Sequence, residues 1–172
     1  MSEAIEIRRL TAADAEALWK LRMTALETEP RAFGASPEAN HMPNVEAVAE
    51  NLRAGGNDSF VIGAFDGGQL VGMAGLHREQ RPKLRHKAQV WGVFILASHR
   101  GKKIGREMMQ SLIASARAVD GLRQLRLSVA ATQQAARGLY VALGFRSLGV
   151  EPEALSVDGA YIDEEHFYLP LS

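Results

Sequence analysis

The stretch Gln89–Arg106, QVWGVFILASHRGKKIGR, constrains the fold more than any other part of the chain. A nearly continuous apolar run, Val90–Ala97, passes through a basic, glycine-punctuated turn, His99–Gly105, into a helical pattern. The run is short and rich in β-branched and aromatic residues, which predicts a buried strand. Ile104, Met108, Leu112, Ala116 and Val119 then recur at the spacing of one helix face. Strand, turn and helix start together outline a phosphate site. The first N–H groups of a helix lack internal acceptors and sit at the positive end of its dipole. Arg100, Lys102, Lys103 and Arg106 add charge there. Spacing excludes two common phosphate motifs. Gly101 and Gly105 are four apart, so the dinucleotide fingerprint fails, and Gly105 precedes Arg106, so the P-loop fails as well. Taken alone, the turn fits a solvated basic helix start equally well.

The rest of the chain supplies the setting. A length of 172 residues suits one domain, 1–172, with a substantial core. Apolar content of 47% and charged content of 23% are those of a globular protein. Twenty basic residues balance 20 acidic ones, which argues against a dedicated nucleic-acid binder. The distribution is uneven: nine Arg or Lys and only Glu79 fall between Arg78 and Arg106. After Arg146 there are six acidic residues and no Arg or Lys. With no cysteine, disulfides and thiolate-bound metals are excluded. No signal-peptide core and no membrane-length apolar run is present, which gives the expectation of a cytoplasmic protein.

In chain order, Ala4–Leu10 reads as a half-exposed strand. Thr11, with Asp14 three residues on, caps a helix whose buried stripe is Leu18, Leu21 and Ala25. Pro30–Pro43 is a loop, and Asn44 caps a second helix that Gly55-Gly56 stops. Ser59–Phe65 and Gln69–Leu76 form a hairpin around Asp66-Gly67-Gly68. His77–Lys87 is a basic connection to the central strand and helix. Leu125–Ala130 is the next strand, and Thr132 caps a helix with Ala136, Leu139, Tyr140 and Leu143 inward and Gly144 as its stop. Phe145–Leu171 reads as two strands around Asp158-Gly159. The pattern defines a mixed α/β or α+β sheet protein.

Two motifs identify a resemblance. VFILASHRGKKIG is similar to the acyl-CoA signature of the GNAT superfamily of N-acyltransferases, Gln/Arg-x-x-Gly-x-Gly/Ala. Arg100 and Gly105 match its ends, and Lys103 stands where the middle glycine is expected. QQAARGLYVALGF is similar to the family's Asn-x-x-Ala-x-x-Leu-Tyr-x-x-x-Gly-Phe, with Ala136, Leu139, Tyr140, Gly144 and Phe145 matching and Gln133 replacing the asparagine. The resemblance covers nearly the whole chain. It implies the GNAT-like order β-α-α-β-β-β-α-β-α-β-β, with about seven strands and about four helices in a single domain.

The resemblance also implies a chemistry: direct transfer of an acetyl group from acetyl-CoA to a primary amine in a ternary complex. The amides of Gly101, Lys102, Lys103, Ile104, Gly105 and Arg106, with Arg100, would hold the pyrophosphate. Gly92 would bulge the central strand, so that Val93, Phe94 and Ile95 offer backbone groups to pantetheine and an N–H near Val93 polarises the thioester. Gln133 would touch the pantetheine arm, and Tyr140 would protonate the leaving sulfur. No metal is implied. From the residues alone, Gly105 also fits tight helix–strand packing, Gly92 room for Trp91, and Tyr140 a core position. The general base is open. Gln89 stands where many family members carry glutamate, which leaves Glu79, His77, Asp163, Glu164, His166 or water.

The acceptor is a small-molecule, peptide or protein amine, with no nucleic-acid or membrane partner expected and a homodimer possible. The acidic C-terminal strands, Asp163–Glu165 above all, point to a cationic amine. An alternative to the enzyme is a non-catalytic acyl-CoA-binding module of the same fold, which Gln89 and Lys103 favour.

Overall fold

The computed structural model describes residues 4–172. Seven strands form one mixed sheet in the order β1-β2-β3-β4-β5-β7-β6. They are β1 (Glu6–Arg9), β2 (Ser59–Asp66), β3 (Gln69–Arg78), β4 (Lys87–Ile95), β5 (Gln124–Ala130), β6 (Arg146–Val157) and β7 (Ala160–Pro170). Among the described residues there are four α-helices: α1 (Ala15–Thr28), α2 (Val45–Ala54), α3 (Ile104–Arg117) and α4 (Gln134–Ala142). The element order matches the one expected from the motifs. Every neighbouring pair is antiparallel except β4 and β5.

Apolar residues on the two faces of the sheet build two cores. Ile62, Leu76, Val90, Leu125, Leu127 and Phe167 pack on Ile104, Met108 and Leu112 of α3. Val61, Phe65, Met73 and Phe94 pack on Leu18, Leu21, Ala25 and Val48 from α1 and α2. The sheet is therefore covered on both sides, and the crossover from β4 to β5 runs through α3.

Most local signals act as read, with three shifts. The Thr11 N–H donates to Asp14 Oδ2 at 2.8 Å, but this box opens a 3₁₀ turn, and α1 begins only at Ala15. Arg8 grips both oxygens of Asp14 at 2.8 and 2.9 Å, so the box is tied to β1 as well. Asn44 accepts from the Ala47 N–H at 2.8 Å and caps α2 as expected. The expected cap of α4, Thr132, is displaced by Gln133. The Thr132 hydroxyl instead accepts from Gln133 Nε2 at 3.2 Å. At the other end of α4, Gly144 (φ +98°) allows Phe145 N–H to donate to Tyr140 O, and Gly144 N–H to Val141 O, which closes the helix sharply. The apolar run after Gln89 stops being a strand at Ile95, because Ala97–His99 turns as a 3₁₀ segment toward α3.

Candidate active site

The site begins with a strand that loses its neighbour. β4 and β5 pair only over Lys87–Gln89 with Gln124–Arg126. Beyond Gln89, β4 is held by β3 alone, and that ladder shifts register between Met73 and Gly75, opposite Gly92. Gly92 has φ +62°, a conformation that side chains rarely adopt, so glycine here permits the bulge that turns β4 away from β5. Room for Trp91 has a different source. A Cβ on Gly75 would collide with the Trp91 indole, so Gly75 makes that space.

The splay opens a slot of about 90 Å³ between Gly92–Val93 and Leu127–Val129, floored by Gln133, Ala136 and Tyr140. A cleft of about 450 Å³ continues from it on the α3–α4 side. This cleft gathers Val93, Phe94, Ile95, Arg100, Gly101, Lys103, Ile104, Gly105, Arg106, Gln133 and Tyr140. Of the residues expected to hold the cofactor or protonate the sulfur, only Lys102 lies outside its wall, exposed on the turn. On the other face of the sheet a third cavity, about 620 Å³, lies between α2 and β2–β4 and includes His41, His77, Gln89 and Trp91.

The turn before α3 is shaped to face an anion. Among the described residues, no backbone acceptor is taken by the N–H groups of 101–106. Gly101 (φ +77°) and Lys103 (φ +64°) both occupy the left-handed region. Lys103 thus holds a glycine conformation at the position where the motif has glycine. Arg100 is bent back, its Nε donating to Ile95 O at 3.1 Å and its Nη2 to Glu29 Oε1 at 3.0 Å. Gly105 packs: a Cβ there would sit 3.1 Å from Ile95 Cδ1 and 3.4 Å from Leu139 Cδ2. Its small size lets α3 approach β4 and α4 while its edge still lines the cleft.

Tyr140 is buried, edge-on to Phe145 with ring centroids 5.8 Å apart. Burial pushes its phenol well above the usual range, so at neutral pH it is a neutral hydrogen-bond donor. The same alternation that buries Leu125, Leu127 and Val129 turns Ser128 to the opposite face. There the Ser128 hydroxyl lies 2.7 Å from His166 Nδ1, and His166 Nε2 lies 2.8 Å from Glu151 Oε2. Glu164 shares this face, and burial raises its pKa, which His166 opposes and Glu151 reinforces. Asp163 and Glu165 point the other way. Asp163 accepts from the Glu153 N–H at 2.8 Å, and Glu165 pairs with Arg137 at 2.8 and 3.1 Å. These two carboxylates are engaged within the protein, and of the three only Glu164 shares the Ser128 face. His77 and Glu79 flank Gln89, whose Nε2 donates to Glu79 Oε1 at 3.4 Å. Among the described residues, no group of three or more His, Asp or Glu is placed to hold a metal ion. No helix of these residues is long and apolar enough to cross a membrane.

Sequence reading missed Ser128, His41, Phe33 and Arg22. Arg22 had a legible signal: it lies four residues after Leu18 and three before Ala25, on the apolar stripe of α1.

A bulged strand, splayed from its parallel neighbour beside an open helix start, is the arrangement that the resemblance implies for an acyl-CoA transferase. The profile of the Acetyltransferase (GNAT) family matches residues 17–145. The chain belongs to that family and is an acyl-CoA-dependent N-acyltransferase. The N-alpha-acetyltransferase RimI of Mycobacterium tuberculosis (strain ATCC 25618 / H37Rv) is 30% identical over 152 residues, which span 80% of this chain and 92% of that protein. Solved structures agree in fold. A GNAT-family acetyltransferase from Streptococcus pneumoniae superposes with a TM-score of 0.87 at 23% identity, over 98% of this chain and 100% of the other. A putative acetyltransferase from Salmonella typhimurium, solved with its cofactor acetyl-CoA, gives 0.84 at 19% identity, over 99% of this chain and 95% of that one.

Proposed function

We propose that the chain, acting as one transferase domain in the cytoplasm, moves an acetyl group from acetyl-CoA directly to a primary amine while both are bound. The observation that carries this reading is the slot at Gly92, which joins the anion-facing cleft on one side of the sheet to the acceptor face on the other.

The residues divide the work. The unpaired N–H groups of 101–106 would hold the pyrophosphate, helped by Lys103 and Arg106. The β5-facing edge of Val93–Ile95, free of its neighbour, would pair with the pantetheine amides, and Gln133 borders the same path. The Val93 N–H would polarise the thioester carbonyl, an effect worth about 10²–10³ in rate for such donors. The amine nitrogen then attacks the carbonyl carbon, the C–N bond forms and the C–S bond breaks. Ser128 takes the proton from nitrogen and passes its own to His166, which Glu151 orients. Tyr140 donates to the departing sulfur. A thiol has a pKa near ~8.5, far below that of the buried phenol, so full proton transfer is uphill and the gain from Tyr140 is modest.

Acetyl-CoA should raise the melting temperature by about 5–10 °C at a hundredfold excess over Kd. Free CoA thiol should appear when an amine panel is added. A chain indifferent to millimolar acetyl-CoA ends this reading.

A further inference from the structure

Arg22 is a buried cation without a counter-ion. It is only 5% exposed, and no carboxylate pairs with it among the described residues. Its Nε donates to Asn40 Oδ1 at a long 3.5 Å, and its Nη1 is buried with no partner. The guanidinium lies between two rings, 5.5 Å from the centroids of Phe33 and of Trp91. Nη1 faces the bulge, 3.2 Å from where a Cβ on Gly92 would stand. Phe33, Trp91 and Gly92 all line the slot, and Trp91 continues into the 620 Å³ cavity.

Arg22 is not itself on the wall of the slot or the cavity but lies behind Trp91 and Gly92. Neither the slot nor the cavity has an Asp or Glu in its lining. His41, edge-on to Trp91 at 4.8 Å, is held below its usual pKa by burial and then by the charges of Arg22 and His77. A buried charge left unpaired is costly, and aromatic faces offset only part of that cost. An arginine that merely filled space between Phe33 and Trp91 would be better replaced by methionine.

We propose that Arg22 pairs with a carboxylate of the acceptor, so that the acceptor is a carboxylate-bearing primary amine with an apolar body, of the kind a free α-amino acid presents. This rests on the transferase reading above. The planar guanidinium suits a carboxylate, and Ser128 lines the slot with His166 hydrogen-bonded to it. Met42, Val48, Leu52 and Trp91 give the cavity an apolar wall for the side chain. A peptide N-terminus offers a neutral amide where the free amino acid has its carboxylate. It would leave Arg22 unpaired, and sites built around a polar partner reject analogues that lack it.

The test begins with binding, which needs no turnover. N-acetyl-L-leucine and its primary amide are titrated into the wild type, Arg22→Met and Arg22→Lys. The wild type should bind the acid about tenfold or more tighter than the amide. Arg22→Met should bring that ratio near one, and Arg22→Lys should keep part of it. Equal binding of acid and amide by the wild type overturns the proposal, as does an unchanged ratio in Arg22→Met or no binding of either at millimolar concentration. CoA release is then measured with L-leucine, L-leucinamide and a leucine-initiated peptide amide. Preference for either amide overturns the carboxylate site and leaves acetyl transfer standing. Acid-selective binding with no CoA release from any of the three upholds the site and overturns the transfer reading.

Discussion

Ser128 and His166 are register partners across β5 and β7, and the serine hydroxyl lies 2.7 Å from the imidazole Nδ1. Glu151 holds the far nitrogen, Nε2, at 2.8 Å, which assigns the N–H there and leaves Nδ1 as the acceptor of the serine proton. The serine oxygen is then free to receive a proton from an amine in the slot that Ser128 lines. Ser128→Ala and His166→Gln should each lower kcat/KM by about 10²-fold, and the double variant by little more, because the two act as one unit. If Glu164→Gln loses more activity than either variant, the base is Glu164 and the relay is incidental.

Tyr140→Phe isolates the hydroxyl, since the ring keeps its edge contact with Phe145. The expected loss is in kcat, about tenfold and so below the usual range for general acids, because the buried phenol is a poor proton source for a thiolate. Acetyl-CoA binding, followed by calorimetry, should hold within about twofold. A fall confined to KM would make Tyr140 a packing residue.

The parts of this molecule that rest on short-range rules were legible in its sequence. Periodicity marked the strand and helix around Gln89–Arg106, and Asp66-Gly67-Gly68 marked the hairpin between β2 and β3. Boundaries moved where a side chain found another partner, as when Asp14 bound Arg8 and the Thr132 hydroxyl accepted from Gln133. The acceptor side was not legible, because it is assembled from α1, β4, β5 and β7 by the sheet order. No spacing rule brings Arg22 to Gly92 or His166 to Ser128. Likewise, a run of acidic residues carries no direction until strand alternation splits Glu164 from Asp163 and Glu165.

Lys103 is the motif departure with a measurable consequence. At φ +64° and ψ +12° it adopts the left-handed conformation at the start of α3. That costs a residue with a side chain about 1–2 kcal/mol. Lys103→Gly relieves the strain but gives the unfolded chain more freedom, worth about 0.4–1 kcal/mol in the other direction. The net expectation is a melting temperature unchanged or a few degrees higher, at about 2–4 °C per kcal/mol. Lys103→Val, β-branched and least suited to positive φ, should melt lowest of the three. The order Gly, Lys, Val in thermal melts without ligand checks this, and a valine variant as stable as wild type would refute it.

Asp58 gives the acid limb of stability a named source. It joins two arginines at the foot of β3: Arg78 Nη1 donates to its Oδ1 at 3.2 Å, and Arg85 Nη2 to its Oδ2 at 2.9 Å. The hydrogen bond from Arg85 is the chief reason its carboxyl pKa lies below the usual range; burial opposes the shift, and Arg78 reinforces it. A depressed folded pKa stabilises the protein fully above the unfolded value near ~3.9, and that contribution fades as pH falls through the folded value. Asp58 is 36% exposed, so solvent screening limits the charge term to about 1 kcal/mol. Asp58→Asn removes the charge and leaves one acceptor oxygen for the two arginine donors. It should melt about 2–4 °C below wild type at pH 7. The gap should narrow as melts are repeated at falling pH below about 5, as the wild-type carboxylate takes up its proton. A gap that stays constant over that range would mean that Asp58 contributes through shape and not through charge.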